Sequence, residues 1–164
     1  MVREGHLDAR GQARMVEVGE KPVTRREAIA RGEVRMSPAA FSALAGGTLA
    51  KGDALAVARI AGIQAAKRTS EIVPLCHPVP LDSVSVDIAL EAPASAARVT
   101  ARATTEAKTG VEMEALTAVA AACLSIYDMV KGIDRACRIC DIALIEKSGG
   151  RSGRFVAGEV QSRA

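Results

Sequence analysis

The chain has 164 residues, 49% of them hydrophobic and 25% charged, so it can bury a core without disulfides and is not a disordered tail. Its 22 basic and 19 acidic residues leave a net charge of +3, which is compatible with anionic ligands but makes no demand for nucleic acid. Phe41, Tyr127 and Phe155 are too few rings for a base-stacking platform, and 32 alanines stand in for larger side chains.

Residues 1–11 carry charges with no apolar stretch behind them and are not read as a secretory signal. Residues 13–18 form a short strand candidate, 19–22 a turn, and 24–36 an extended segment. Ser37-Pro38 then starts a helix, because the serine can accept a backbone N–H and proline tolerates the first helical position. That helix runs to about Leu44 and stops at Gly46-Gly47. Asp53 caps a second helix, reaching roughly Lys67, with Leu55, Val57, Ala58, Ile60, Ala61 and Ala65 as its apolar side. Gly62 in its middle costs about 1 kcal/mol relative to Ala and suggests close packing.

After a loop over residues 74–80, the alternation of residues 83–90 is the clearest strand pattern in the chain. A turn at 91–95 joins it to a second strand at 97–106, and no crossover helix fits between them, so the pair is antiparallel. Residues 112–131 are the strongest helix, with Leu116, Ala120, Cys123, Tyr127 and Val130 at spacings of three and four. Its uncharged core, residues 115–127, is thirteen residues long and short of a membrane span. A strand at 139–145 and a glycine-rich loop at 149–153 follow. The pattern is α+β: a mostly antiparallel sheet with helices packed on one face. A single domain over residues 1–164 is expected, with mobile segments at about 1–12 and about 148–164.

Several patches place polar groups where packing does not require them. Lys51-Gly52-Asp53 sits at a helix start, where free backbone donors and an ammonium can meet an anion, or where an aspartate simply caps. The loop Pro74-Leu75-Cys76-His77-Pro78 carries a thiol and an imidazole. Neighbouring side chains in extended backbone point apart, so a Cys76–His77 nucleophilic pair is disfavoured, and His77 suits donation to a phosphate or carbonyl. Lys108-Thr109-Gly110 precedes the long helix without the glycine-rich run of a phosphate loop. Helical winding places Glu112 and Glu114 on different sides. Asp128 and Lys131, three apart on a helix, share one face; in a pocket they make a proton-transfer couple, on a surface an ordinary ion pair. Cys137 and Cys140 form a lone CxxC without the further ligands zinc needs, so no metal site is expected. The four cysteines read as free thiols of a reducing compartment, and a soluble cytoplasmic protein is expected.

Taken in order, Met15-Val-Glu-Val18, KGDALAVARIAGIQAAKRT (51–69), IVPLCHP (72–78), KTGVEMEALTA (108–118), IYDMVK (126–131) and EKSGGRSG (146–153) resemble the cyclic pyranopterin monophosphate synthase family of molybdenum cofactor biosynthesis. The resemblance covers nearly the whole chain. It implies a ferredoxin-like α+β fold, a homohexamer built as a trimer of dimers, and pockets at subunit interfaces. It implies a lyase that rearranges (8S)-3',8-cyclo-7,8-dihydroguanosine 5'-triphosphate to cyclic pyranopterin monophosphate, releasing pyrophosphate. Asp128 falls on the family's active-site aspartate, with Lys131 and Lys51 on its proton-transfer lysines. Leu75, Cys76, His77, Met113 and Glu114 fall on substrate-binding segments; Lys67, Glu112 and Lys147 fall in the same pocket. Arg14 stands where relatives often carry histidine, and Arg151 where they often carry lysine. No cofactor is expected, Mg²⁺ accompanying the triphosphate or pyrophosphate is left open, and neither nucleic acid nor membrane is a partner. The rival reading is a non-catalytic oligomeric module that binds a phosphorylated ligand.

Overall fold

Both helix starts are built from the caps that the sequence offers. In the computed structural model, which describes residues 6–8 and 10–158, β1 (Thr24–Arg35) leads to α1 (Pro38–Ala45). The Ser37 hydroxyl accepts the Ala40 N–H, Pro38 occupies the first turn, and Gly46 closes the helix. α2 (Ala54–Ala66) starts where the Asp53 carboxylate accepts the Ala56 N–H at 2.9 Å. A single turn, α3 (Thr69–Ile72), follows; four residues give no periodicity to detect in sequence. It is fastened by the buried Thr69 hydroxyl donating to the Ala66 carbonyl at 3.0 Å.

β2 (Ser83–Glu91) and β3 (Ala96–Ala107) form the expected hairpin, turning through a short 3₁₀ segment (Ala92–Ala94) and a left-handed Ser95. α4 (Glu112–Val130), β4 (Arg138–Ser148) and the two-residue β5 (Phe155–Val156) complete the chain. The strands lie in the order β2-β3-β1-β4-β5, every neighbouring pair antiparallel. The β-α-β-β-α-β succession with β1 and β3 central is the ferredoxin-like arrangement expected, with α4 and α2 on one face of the sheet.

Three expectations need correction. Residues 13–18 are not a strand: among the described residues their only β-pairing is an isolated bridge between Leu7 and Ala13. The segment has no neighbour in the sheet, and Met15 is 49% exposed. The apolar side of α2 is also rotated. Ala54, Ala58, Gly62 and Ala66 face inward, while Val57 and Ile60 are exposed. The reason is proximity: a Cβ on Gly62 would stand 2.8 Å from the Ala118 carbonyl oxygen of α4 and 3.0 Å from Val86. Only the smallest side chains fit between helices this close. On α4 the buried stripe is Ala115, Ala118, Val119, Ala122, Cys123, Ile126 and Val130, so Ala120 faces out and Leu116 and Tyr127 lie at the margin. Gly32 in β1 serves the same closeness from the sheet side, where Val119 of α4 would touch any Cβ.

α4 matches a membrane-spanning helix in length and composition, although its uncharged stretch is short; half of its most apolar 18 residues are buried inside this fold. Among the segments expected to be mobile, residues 1–5, 9 and 159–164 lie outside the described residues, and β5 pairs with Glu146 and Lys147 of β4.

Candidate active site

At the C-terminal end of α4, one carboxylate holds two lysines. Asp128 Oδ1 receives Lys131 Nζ at 2.6 Å, and Oδ2 receives Lys51 Nζ at 2.6 Å. Lys51 also donates to the Asp128 backbone carbonyl at 2.9 Å. The i,i+3 spacing on one helix face brings Asp128 to Lys131. Lys51 arrives from 77 residues away. It is carried by the turn that Gly52 closes onto the Leu49 carbonyl in a left-handed conformation (φ 91°) suited to glycine. The Asp53 carboxylate beside it caps α2 by accepting the Ala56 N–H, while Lys51 turns toward Asp128. Hydrogen bonds from Lys131 and then Lys51 pull the Asp128 carboxyl down to about 2, and Asp128 in turn raises Lys131 above its ordinary value. All three side chains are about half exposed.

At the other end of the same helix lies a cleft of about 420 Å³, within the range of small-molecule sites. The loop after α3 supplies Leu75, Cys76 and His77; the start of α4 supplies Glu112 and Met113; Lys21 comes from the N-terminal segment. Cys76, which closes a turn onto the Val73 carbonyl, and His77 point to different partners. The Cys76 thiol donates to Glu114 Oε1 at 3.8 Å, whereas His77 Nε2 meets the Val16 carbonyl at 2.8 Å. A carbonyl only accepts, so that nitrogen carries the hydrogen, which leaves Nδ1 as the ring's other edge. Glu114 is 2% exposed, and its Oε2 has no hydrogen-bond partner. Burial pushes its carboxyl upward and does the same to the Cys76 thiol, which Glu114 raises further.

The remaining expected residues are dispersed. Lys67 is the exposed C-cap of α2, and Lys147 on β4 donates to the Ser152 hydroxyl. Cys140 groups with Glu33 and Asp141, their ligand atoms within 4.8 Å, but Cys137 is not in that group. Both acids already face guanidinium groups: Glu33 faces Arg98 and Arg35, and Asp141 faces Arg35. Burial pushes the Cys123 thiol up to about 12. Sequence reading missed Lys21 and Val16 in the cleft wall; a lone lysine in a turn offers no spacing to notice.

Asp128 and Glu112 are sixteen residues apart on one helix, so the cluster and the cleft are separated by about 24 Å. Fold and polar groups together define a ferredoxin-like α+β chain with a lysine–aspartate–lysine cluster and an acid-bearing cleft at opposite ends of its longest helix. A model of the MoaC family matches residues 15–150. The cyclic pyranopterin monophosphate synthase of Thermomicrobium roseum is 54% identical over 158 residues, 96% of this chain and 95% of that relative. The enzyme of the same name from Roseiflexus sp. is 58% identical over 151 residues, 92% and 96% of the two chains. That from Dinoroseobacter shibae is 53% identical over 152 residues, 93% and 96%. The chain belongs to the MoaC family.

Proposed function

We propose that this chain converts (8S)-3',8-cyclo-7,8-dihydroguanosine 5'-triphosphate to cyclic pyranopterin monophosphate and pyrophosphate, working in the cytoplasm as a homohexamer, a trimer of dimers. The observation that carries the reading is the Lys51–Asp128–Lys131 cluster, three residues that match the family's proton-transfer set and meet across 77 residues of sequence. Rebuilding purine-derived rings needs repeated proton transfers. Asp128 remains ionised to low pH and keeps Lys131 charged, so Lys131 acts first as a proton donor with Lys51 opposite it. As ring nitrogens and oxygens change protonation, each ammonium that gives a proton is left as an amine beside the carboxylate, ready to take one back. Asp128 orients both.

The triphosphate needs donors, which Lys67, Lys147 and Arg151 offer. When an oxygen of the sugar-derived portion closes on the α-phosphorus, the bond to the departing pyrophosphate breaks, and these cations offset the charge that develops there. The 24 Å of α4 between cluster and cleft supports a pocket built from two copies of the chain, one giving the cluster and the other the cleft. The exposed Val57, Ile60 and Leu124 on α2 and α4 are apolar surface for such contacts.

Incubation with the cyclised nucleotide, scored for pyrophosphate and the cyclic phosphate product, tests the reading. Equal release of the two supports it; tight binding without turnover would leave a phosphate-binding module instead.

A further inference from the structure

Two donors hold the N-terminal segment along the cleft, and neither belongs to the charged cluster. His77 Nε2 donates to the Val16 carbonyl at 2.8 Å, and the Lys108 ammonium donates to the Gly19 carbonyl at 2.5 Å. Val16 and Val18 line the cleft, while Glu17 between them is exposed and accepts the Gly19 N–H at 2.6 Å. The backbone then turns, with the Lys21 N–H on the Val18 carbonyl at 3.1 Å, and brings Lys21 into the cleft wall.

This strap has little else to hold it. Met15 and Val23 at its two ends are 49% and 58% exposed, and no residue from 11 to 23 is buried. A segment with so little apolar burial opens at small cost unless polar ties restrain it. Lys108 is not itself part of the cleft lining, although Thr109 and Gly110 beside it are. Lys21 is the only lysine or arginine in that lining among the described residues, and it is there only while the strap is seated.

We infer that Lys108 is a positioning residue: it fastens residues 16–21 as the outer wall of the cleft and so holds the Lys21 ammonium against a phosphate-bearing ligand. The fastening follows from the hydrogen bonds and the exposure; the phosphate class of the ligand rests on the proposed reaction.

Hydrogen exchange on the full chain tests the fastening without any ligand. In Lys108→Met, amides of residues 16–21 should exchange about tenfold faster while peptides of β1, β3 and α4 stay as protected as before. Lys108→Arg, which keeps a cationic donor, should restore slow exchange. Should Lys108→Met lose core protection, Lys108→Gln replaces it. Unchanged strap exchange in a folded variant overturns the inference.

The consequence for the ligand is then read kinetically. Lys108→Met should raise KM for the cyclised nucleotide by roughly tenfold with kcat within about twofold, since neither Lys108 nor Lys21 belongs to the proton-transfer cluster and a strap that only holds a phosphate serves ground state and transition state alike. Lys21→Met should raise KM equally while leaving strap exchange at the wild-type rate, and the double variant should be no worse than either single one. Additive effects would overturn the route through Lys21. If the chain does not turn the nucleotide over at all, the proposed reaction fails; inorganic pyrophosphate then serves as the probe, with Kd in place of KM, and the exchange result stands apart.

Discussion

An aspartate in the last turn of a helix meets the negative end of the helix dipole, which ordinarily disfavours it. At Asp128 the two ammonium groups reverse that preference. Because its folded value lies below the ordinary 3.8, the stabilisation from this carboxylate is present above about pH 4 and lost as the pH falls through about 2. Lys131, raised above 10.5, keeps its share up to that value and loses it at still higher pH. The cluster is therefore fully charged across the neutral range, and an acid limb in a pH–rate profile near pH 5 would point away from Asp128. Lys131→Ala should fold and bind but lose about two to four orders of magnitude in single-turnover rate, and Asp128→Asn should behave similarly. Near-normal chemistry in Lys131→Ala would transfer its role to Lys51. Glu114 has the opposite sign: its folded value is raised, so it favours the folded state below pH 4.5 and loses that contribution as the pH rises through the folded value. Glu114→Gln should raise the thermal midpoint at pH 7, by about 2–4 °C for each kcal/mol relieved, and by less at pH 4. The Asp128–Lys131 face was legible from spacing alone. The Lys51 contact was not, because no periodicity links residues 77 positions apart; only the resemblance pointed to it.

Among the elements, the caps were the most legible features. Ser37-Pro38 and Asp53 state where a helix begins through hydrogen-bonding chemistry that depends on few other residues. The alternation of β2 was equally plain, since one face packs and the other does not. The inward face of α2 was not legible, because periodicity ranks side chains by hydrophobicity whereas this contact selects them by size. Gly62→Ala should therefore destabilise the protein despite a helix-propensity gain of about 1 kcal/mol, because its Cβ would press on a backbone oxygen at 2.8 Å. Overpacking of this kind costs about 1–3 kcal/mol, so a lower denaturant midpoint with an unchanged slope is expected. α3 and β5 were illegible because four and two residues carry too little pattern, and both are set by contacts with distant chain.

At the scale of the whole molecule, the succession of elements was sufficient to fix an antiparallel α+β sheet, and the strand order came from packing. The proposed hexamer makes a direct prediction. Light scattering should give about six times 17.0 kDa, and Leu124→Glu, placing a charge on exposed apolar surface of α4, should shift the protein toward smaller species with parallel loss of turnover. A fully active monomer would rule out a pocket shared between copies.

The length of α4 has a further consequence for how this gene can change. Each residue added to a helix turns everything beyond it by about 100° and advances it by about 1.5 Å. An insertion between Glu114 and Asp128 therefore swings the two lysine-bound oxygens away from Lys51 while the cleft stays where it was. Seven added residues would nearly restore the angle but displace the cluster by about 10 Å. The segment is locked in phase and in span, so point substitutions are open to it where insertions are not. A single alanine inserted after Ala121 should yield a chain that keeps its sheet and loses the Lys51–Asp128 contact, and with it turnover.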